Sequence, residues 1–71
     1  MPKLFSSDFI EKVLFKKDFV FVSQKGSHKK FKRKTGSMVF TVIVPATRRE
    51  VPIGTFRSIL RQSGLTIGDF K

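Results

Sequence analysis

Residues 19–45 read Phe19-Val20-Phe21-Val22-Ser23-Gln24-Lys25-Gly26-Ser27-His28-Lys29-Lys30-Phe31-Lys32-Arg33-Lys34-Thr35-Gly36-Ser37-Met38-Val39-Phe40-Thr41-Val42-Ile43-Val44-Pro45. The segment divides at Gly26-Ser27 and at Thr35-Gly36, two tight-turn signals. Residues 19–25 and 38–44 are rich in β-branched and aromatic side chains, the composition of strands. Residues 28–34 lie between the two turns and complete a three-stranded antiparallel meander. Pro45 ends the third strand because it has no N–H to give to a ladder. The first strand is apolar at both parities over its first four residues, and such a strand needs cover on both faces. Helices can supply one cover, and a partner the other.

Outward from the sheet, both flanks read as helix. Phe9, Ile10, Val13, Leu14 and Lys17 recur at helical spacing, with Glu11, Lys12 and Lys16 on the polar side. This gives an amphipathic helix over roughly residues 7–17. Phe15 falls off its apolar stripe. Ser6 or Ser7 can cap it, and Asp8 suits the positive end of its dipole. After the polar loop 46–51, Pro52 suits a first helical turn, with Gly54-Thr55 as an alternative start. Phe56, Ile59 and Leu60 form the apolar stripe of the second helix, and Arg57 and Arg61 lie i,i+4 on another face. Gly64 fits a left-handed C-cap, with Leu65 as its hydrophobic contact. Thr66 and Asp69 are spaced as a capping box for one more turn. The expected architecture is α+β, in the order α-β-β-β-α, with both helices packed on one face of the sheet.

The chain has 71 residues, enough for a single domain spanning 1–71. A domain of this size buries only roughly 60% of the surface of its unfolded chain, and nine Phe residues help to fill the thin core. There is no Cys, one His and five scattered carboxylates, so no disulfide is available and neither a metal site nor another cofactor is expected. No apolar run reaches transmembrane length. Residues 1–6 lack the apolar core of a signal peptide, which makes the cytoplasm the default location. Membrane binding is the weakest of the binding modes, because the charge lies on predicted strands rather than on one face of an amphipathic helix.

Fifteen Lys and Arg against five acids leave a formal net charge of +10, which favours an anionic partner: nucleic acid, an acidic membrane surface or an acidic protein. Six of the fifteen stand in residues 25–34, a stretch with no acid that also holds the only histidine. Strand alternation sets His28, Lys30, Lys32 and Lys34 on one face and Lys29, Phe31 and Arg33 on the other, unless a bulge near Gly26 shifts it. Lys25, Gly26, Ser27, Lys29, Lys30, Lys32, Arg33 and Lys34 are the candidate RNA-binding residues of this region, with His28 as the proton-transfer group among them. Gly26 lets a substrate backbone come close. Arg57 and Arg61 are a second candidate RNA-binding pair, equally open to holding an acidic protein segment or to solubilising the helix.

Gln24-Lys25-Gly26-Ser27-His28, then Phe31, Val44-Pro45, and Gly54-Thr55-Phe56-Arg57-Ser58-Ile59-Leu60-Arg61-Gln62-Ser63-Gly64-Leu65 together resemble the HicA toxins of toxin–antitoxin systems, in the same order and over nearly the whole chain. The resemblance implies a double-stranded-RNA-binding-domain-like fold and an mRNA interferase, an endoribonuclease with a catalytic histidine at His28. It also implies a HicB-type antitoxin that binds and silences the toxin. Many relatives carry a further histidine near these positions, where this chain has Lys29, Lys30 and Ala46. The expected activity is metal-free scission of mRNA with His28 as general acid or base. The alternative is a non-catalytic double-stranded-RNA-binding module, which shares the fold and lacks the chemistry.

Overall fold

A computed structural model of the chain describes residues 4–71. Residues 1–3, part of the segment read as lacking a leader core, lie outside the described residues. The elements run α1 (Ser7–Lys16), β1 (Val20–Lys25), β2 (His28–Thr35), β3 (Met38–Pro45), α2 (Ile53–Ser63) and a short 3₁₀ turn, η1 (Ile67–Phe70). This is the α-β-β-β-α order expected from the sequence. The sheet is an antiparallel meander with β2 in the centre.

Both helices lie on the same face. Ile10, Val13 and Leu14 of α1 join Phe56 and Ile59 of α2 over Phe31 of β2 and Val42 and Val44 of β3, and Phe19, Val51 and Phe70 close the core. Ser6 is the N-cap of α1, its Oγ accepting from the Phe9 N–H at 3.1 Å. Gly64 caps α2 at φ 72°. A Cβ there would stand 3.1 Å from the Phe40 ring, so this glycine is required by both its conformation and its neighbour. The expected capping box is present, with Asp69 accepting from the Thr66 N–H at 2.9 Å.

The structure corrects the sequence reading in four places. Phe19 precedes β1 and is buried, rather than starting the strand. The helix α2 begins at Ile53, with Pro52 as N-cap, so the start at Gly54-Thr55 is not used. Glu11, expected on the polar side of α1, is instead mostly buried and pairs with Lys29 of β2 at 3.2 Å. The helices do not cover β1, all of whose residues are exposed.

Irregular pairing sets which way the residues of β1 face. The β1–β2 register pairs Phe21 with Phe31 and Ser23 with Lys30, which leaves Val22 as a bulge. A bulge adds one residue to one strand and inverts the facing of everything beyond it. Strict alternation back from Lys25 would put Phe21 on the face of His28. The bulge turns it to the helix side, where its ring packs edge-on against Phe31 at 5.8 Å. Phe15 meets Phe31 from α1 at 5.6 Å. Phe31 is thus fully enclosed by two half-exposed rings. The bulge lies in β1, away from Gly26, so the alternation of β2 is undisturbed.

Candidate nucleic-acid interface

The second face of the sheet carries no helix. The register puts Lys25 opposite His28 and Ser23 opposite Lys30 on one side of β2, and Pro45, Ile43, Thr41 and Val39 opposite His28, Lys30, Lys32 and Lys34 on the other. These residues share the open face, together with Val20, which pairs with Lys32. None is acidic, and none is a Phe. Ser23, Lys25, His28, Lys30 and Ile43 line a shallow groove at one end of it.

His28 is the first residue of β2 and is exposed. Its position is set from three sides. Gly26 turns the chain at φ 59°, and the Gln24 side-chain amide donates to the Gly26 carbonyl at 3.0 Å. The Ala46 N–H donates to the Ser27 carbonyl at 2.7 Å, tying the turn to the end of β3. Ser7, fully buried, then anchors that end. Its Oγ–H donates to the Pro45 carbonyl at 2.5 Å and the same oxygen accepts from the Arg48 N–H at 3.1 Å. The Ser7 N–H in turn donates to the Arg48 carbonyl at 2.8 Å. A buried hydroxyl with donor and acceptor both used holds its neighbours firmly. Thr47, next in the chain, stands at φ 54°, an unfavourable conformation for a β-branched residue.

The sequence-predicted residues therefore divide. Lys25, His28 and Lys30 meet in the groove, and Lys32 and Lys34 continue along the same face. Gly26 and Ser27 form the turn beside it. Lys29 and Arg33 face the helices. Lys29 is held by Glu11. The Arg33 guanidinium lies over the rings of Phe19 and Phe40, 5.2 and 5.1 Å from their centroids, and donates to the Lys17 carbonyl at 3.5 Å. Arg57 and Arg61 are exposed on α2, in the layer on the far side of the sheet from His28, and Arg61 donates to the Ser58 hydroxyl at 3.3 Å. Sequence reasoning gives Ser23 and Ile43 no part in the site, Gln24 only a place in the family motif, and Ser7 only a possible cap. The bulge hid Ser23, and a serine before an amphipathic helix reads as a cap whichever task it has.

The groove offers a proton-transfer group, a row of ammonium groups and a close-approach turn. Among the described residues the ion pairs are Lys17–Asp69 and Lys29–Glu11, so the lysines of the open face are not engaged by carboxylates. A larger hollow lies in the helix layer, lined by Phe5, Phe9, Val51, Phe56 and Phe70 among others. It has no histidine or carboxylate and lies across the sheet from His28. No helix among the described residues is long and apolar enough to cross a membrane.

No curated protein gives a match to this chain. A family model described as the HicA toxin of bacterial toxin–antitoxin systems matches residues 8–65, from the first turn of α1 to the residue after the Gly64 cap. The match takes in α1, the whole sheet, the Gly26–His28 corner and α2, and the chain belongs to the HicA toxin family.

Proposed function

We propose that this chain is an mRNA interferase, an endoribonuclease that cuts RNA on the open face of its sheet without a metal ion, and that a HicB-type antitoxin in the same cytoplasm silences it. The observation that carries the reading is the exposure of His28 on an acid-free face with Lys25 and Lys30 beside it in one groove. Family membership supports the same reading.

The chemistry follows from what RNA brings with it. The 2′-oxygen forms a bond to phosphorus while the bond from phosphorus to the 5′-oxygen breaks. One proton leaves the 2′-hydroxyl and one arrives at the 5′-oxygen, so the products are a 2′,3′-cyclic phosphate and a 5′-hydroxyl. Imidazole exchanges protons near neutral pH and serves as base at the first position or acid at the second. With one histidine in the chain, a lysine ammonium or water gives the proton to the 5′-oxygen when His28 is the base, and water takes the 2′ proton when His28 is the acid. Lys25 and Lys30 stabilise the charge that builds on the phosphate oxygens.

The test is incubation of purified protein with single-stranded RNA in EDTA. The wild type should yield cyclic-phosphate ends, and the His28→Ala protein should not. Equal cutting by both proteins would overturn the assignment of His28. A mobility shift with no products from the wild type would favour the non-catalytic RNA-binding module.

A further inference from the structure

The open face of β2 has a direction. His28 is at its first position, and Lys30, Lys32 and Lys34 follow at every second residue. Side chains on one face of a strand recur about every 6.7 Å, so the row extends about 20 Å from the imidazole. That interval is close to the separation of successive phosphates in a stretched single strand. On the other side of His28 the sheet ends at the Gly26–Ser27 turn. The chain leaving β3 turns away there, because Arg48 is pinned by its backbone to Ser7 and Arg49 lines the hollow in the helix layer. Along the strand, the cations of this face that follow His28, namely Lys30, Lys32 and Lys34, therefore lie on one side of it, while Lys25 stands level with it on β1.

We infer that the substrate is an extended single-stranded RNA laid along β2 with its scissile phosphate at His28 and its next three phosphates on Lys30, Lys32 and Lys34, so that the enzyme grips RNA on one side of the cut alone. This rests on the proposed nuclease reading and adds to it a site size and a polarity. The bases flank the row over Val39, Thr41 and Ile43 of β3. That stripe has no aromatic ring on which a base can stack and few polar groups to read its edges, so the track is tolerant of sequence.

The inference is tested with single-stranded oligonucleotides of 2′-deoxy residues that hold one ribose, so that each has a single cleavable linkage. They are lengthened one nucleotide at a time, on the 5′ side in one series and on the 3′ side in the other. kcat/KM should climb over three added nucleotides in one series, then level off, and stay flat in the other. Counterion release makes each contact worth about fivefold per tenfold change in salt. Lys34→Ala should remove the third increment and lower the salt slope by about 0.7 on long substrates, and leave the shortest substrates unaffected. Equal gains on both sides, no gain on either, or a Lys34→Ala loss independent of length would overturn the one-sided track. Failure of the nuclease reading looks different, since then no oligonucleotide is cut at its ribose or His28→Ala cuts them all.

Discussion

Alternate residues of β2 meet opposite surroundings, although their types are nearly the same. Lys29, Phe31 and Arg33 face the helices, where one cation is paired with Glu11, the ring is sealed by Phe15 and Phe21, and the other cation lies between two rings. His28, Lys30, Lys32 and Lys34 face solvent, with no acid on their side of the sheet. Six cations in ten residues do not constitute one basic patch. Of the five cations of β2, two are absorbed by the fold and three are left on the open face. The difference lies in parity and not in composition.

The sharpest way to break this comparison is to delete neighbours of opposite parity. His28→Ala should lower RNA cleavage by about 10² to 10⁴ while the protein unfolds at the same denaturant concentration, because the side chain is exposed. Phe31→Ala should do the reverse. Truncating an enclosed Phe costs about 3–5 kcal/mol, a large part of the stability of a small fold. Loss of activity in that protein should therefore follow its unfolded fraction. Urea unfolding and cleavage kinetics on both variants check the pair. A His28→Ala protein as unstable as Phe31→Ala would mean that both faces are structural.

Ser7 is where the two faces are coupled, since it reaches from the helix layer to Pro45, the partner of His28 across the β2–β3 ladder. Ser7→Ala leaves the Pro45 carbonyl and the Arg48 N–H without their partner and should destabilise the chain by about 1–3 kcal/mol. It should also lower kcat with KM little changed, because His28 loses its anchor and the lysines keep theirs. An unchanged unfolding midpoint would show that water replaces the hydroxyl.

How far the sequence reveals these roles depends on the range of the interactions. The order of elements, the two glycine turns, the Gly64 cap and the Thr66–Asp69 box are local, and each is legible from a few residues. So is the alternation of β2, because nothing interrupts it. The bulge at Val22 is not legible. Val20, Phe21 and Val22 look alike, and only pairing with β2 decides which of them is left out. The inward burial of Arg33 and the turning of Glu11 toward Lys29 are tertiary events between residues far apart in the chain, and a polar residue beside a helix stripe gives no sign of them. In the candidate site, His28 and the lysine row were legible from a turn and a parity, whereas Ser23 and Ser7 required the three-dimensional register.

A finer comparison replaces adjacent cations by the same apolar side chain. Lys32→Met should lower the salt slope of RNA binding by about 0.7 and leave stability within about 0.5 kcal/mol. Arg33→Met should leave the slope untouched. The Arg33 Nε is buried without a partner among the described residues, and an apolar chain of similar length keeps the packing against Phe19 and Phe40 while removing that group, so its stability should change little in either direction. Binding titrations at several salt concentrations, using the two variants in a His28→Ala background so that the RNA stays intact, separate the roles. Equal slopes for both would erase the distinction between the faces.

The smallest expected effect concerns how each layer uses its charges. The helix layer pairs them, as Lys17 does with Asp69 at 3.3 Å, whereas the open face leaves its lysines to repel one another. Asp69 has its carboxyl held below the ordinary 3.8, chiefly by the Thr66 backbone N–H, against the opposing effect of burial, with the Lys17 ammonium adding to the lowering. A carboxylate with a depressed folded value binds its proton more readily in the unfolded chain, so its contribution is complete above about 3.8 and fades as pH falls through the lower folded value. Asp69→Asn should therefore be slightly less stable than the wild type at neutral pH, and the gap should close below pH 4. The open face should behave differently over the same range, because the strands give it no carboxylate to lose and the repulsion among its lysines persists. Added salt should raise the stability of the wild type there by screening that repulsion, and this gain should be smaller in Lys32→Met. Acid titration of stability at two salt concentrations distinguishes the two. A gap between the Asp69→Asn protein and the wild type that persisted unchanged to low pH would mean that the η1 turn depends on the shape of the side chain at position 69 and not on its charge.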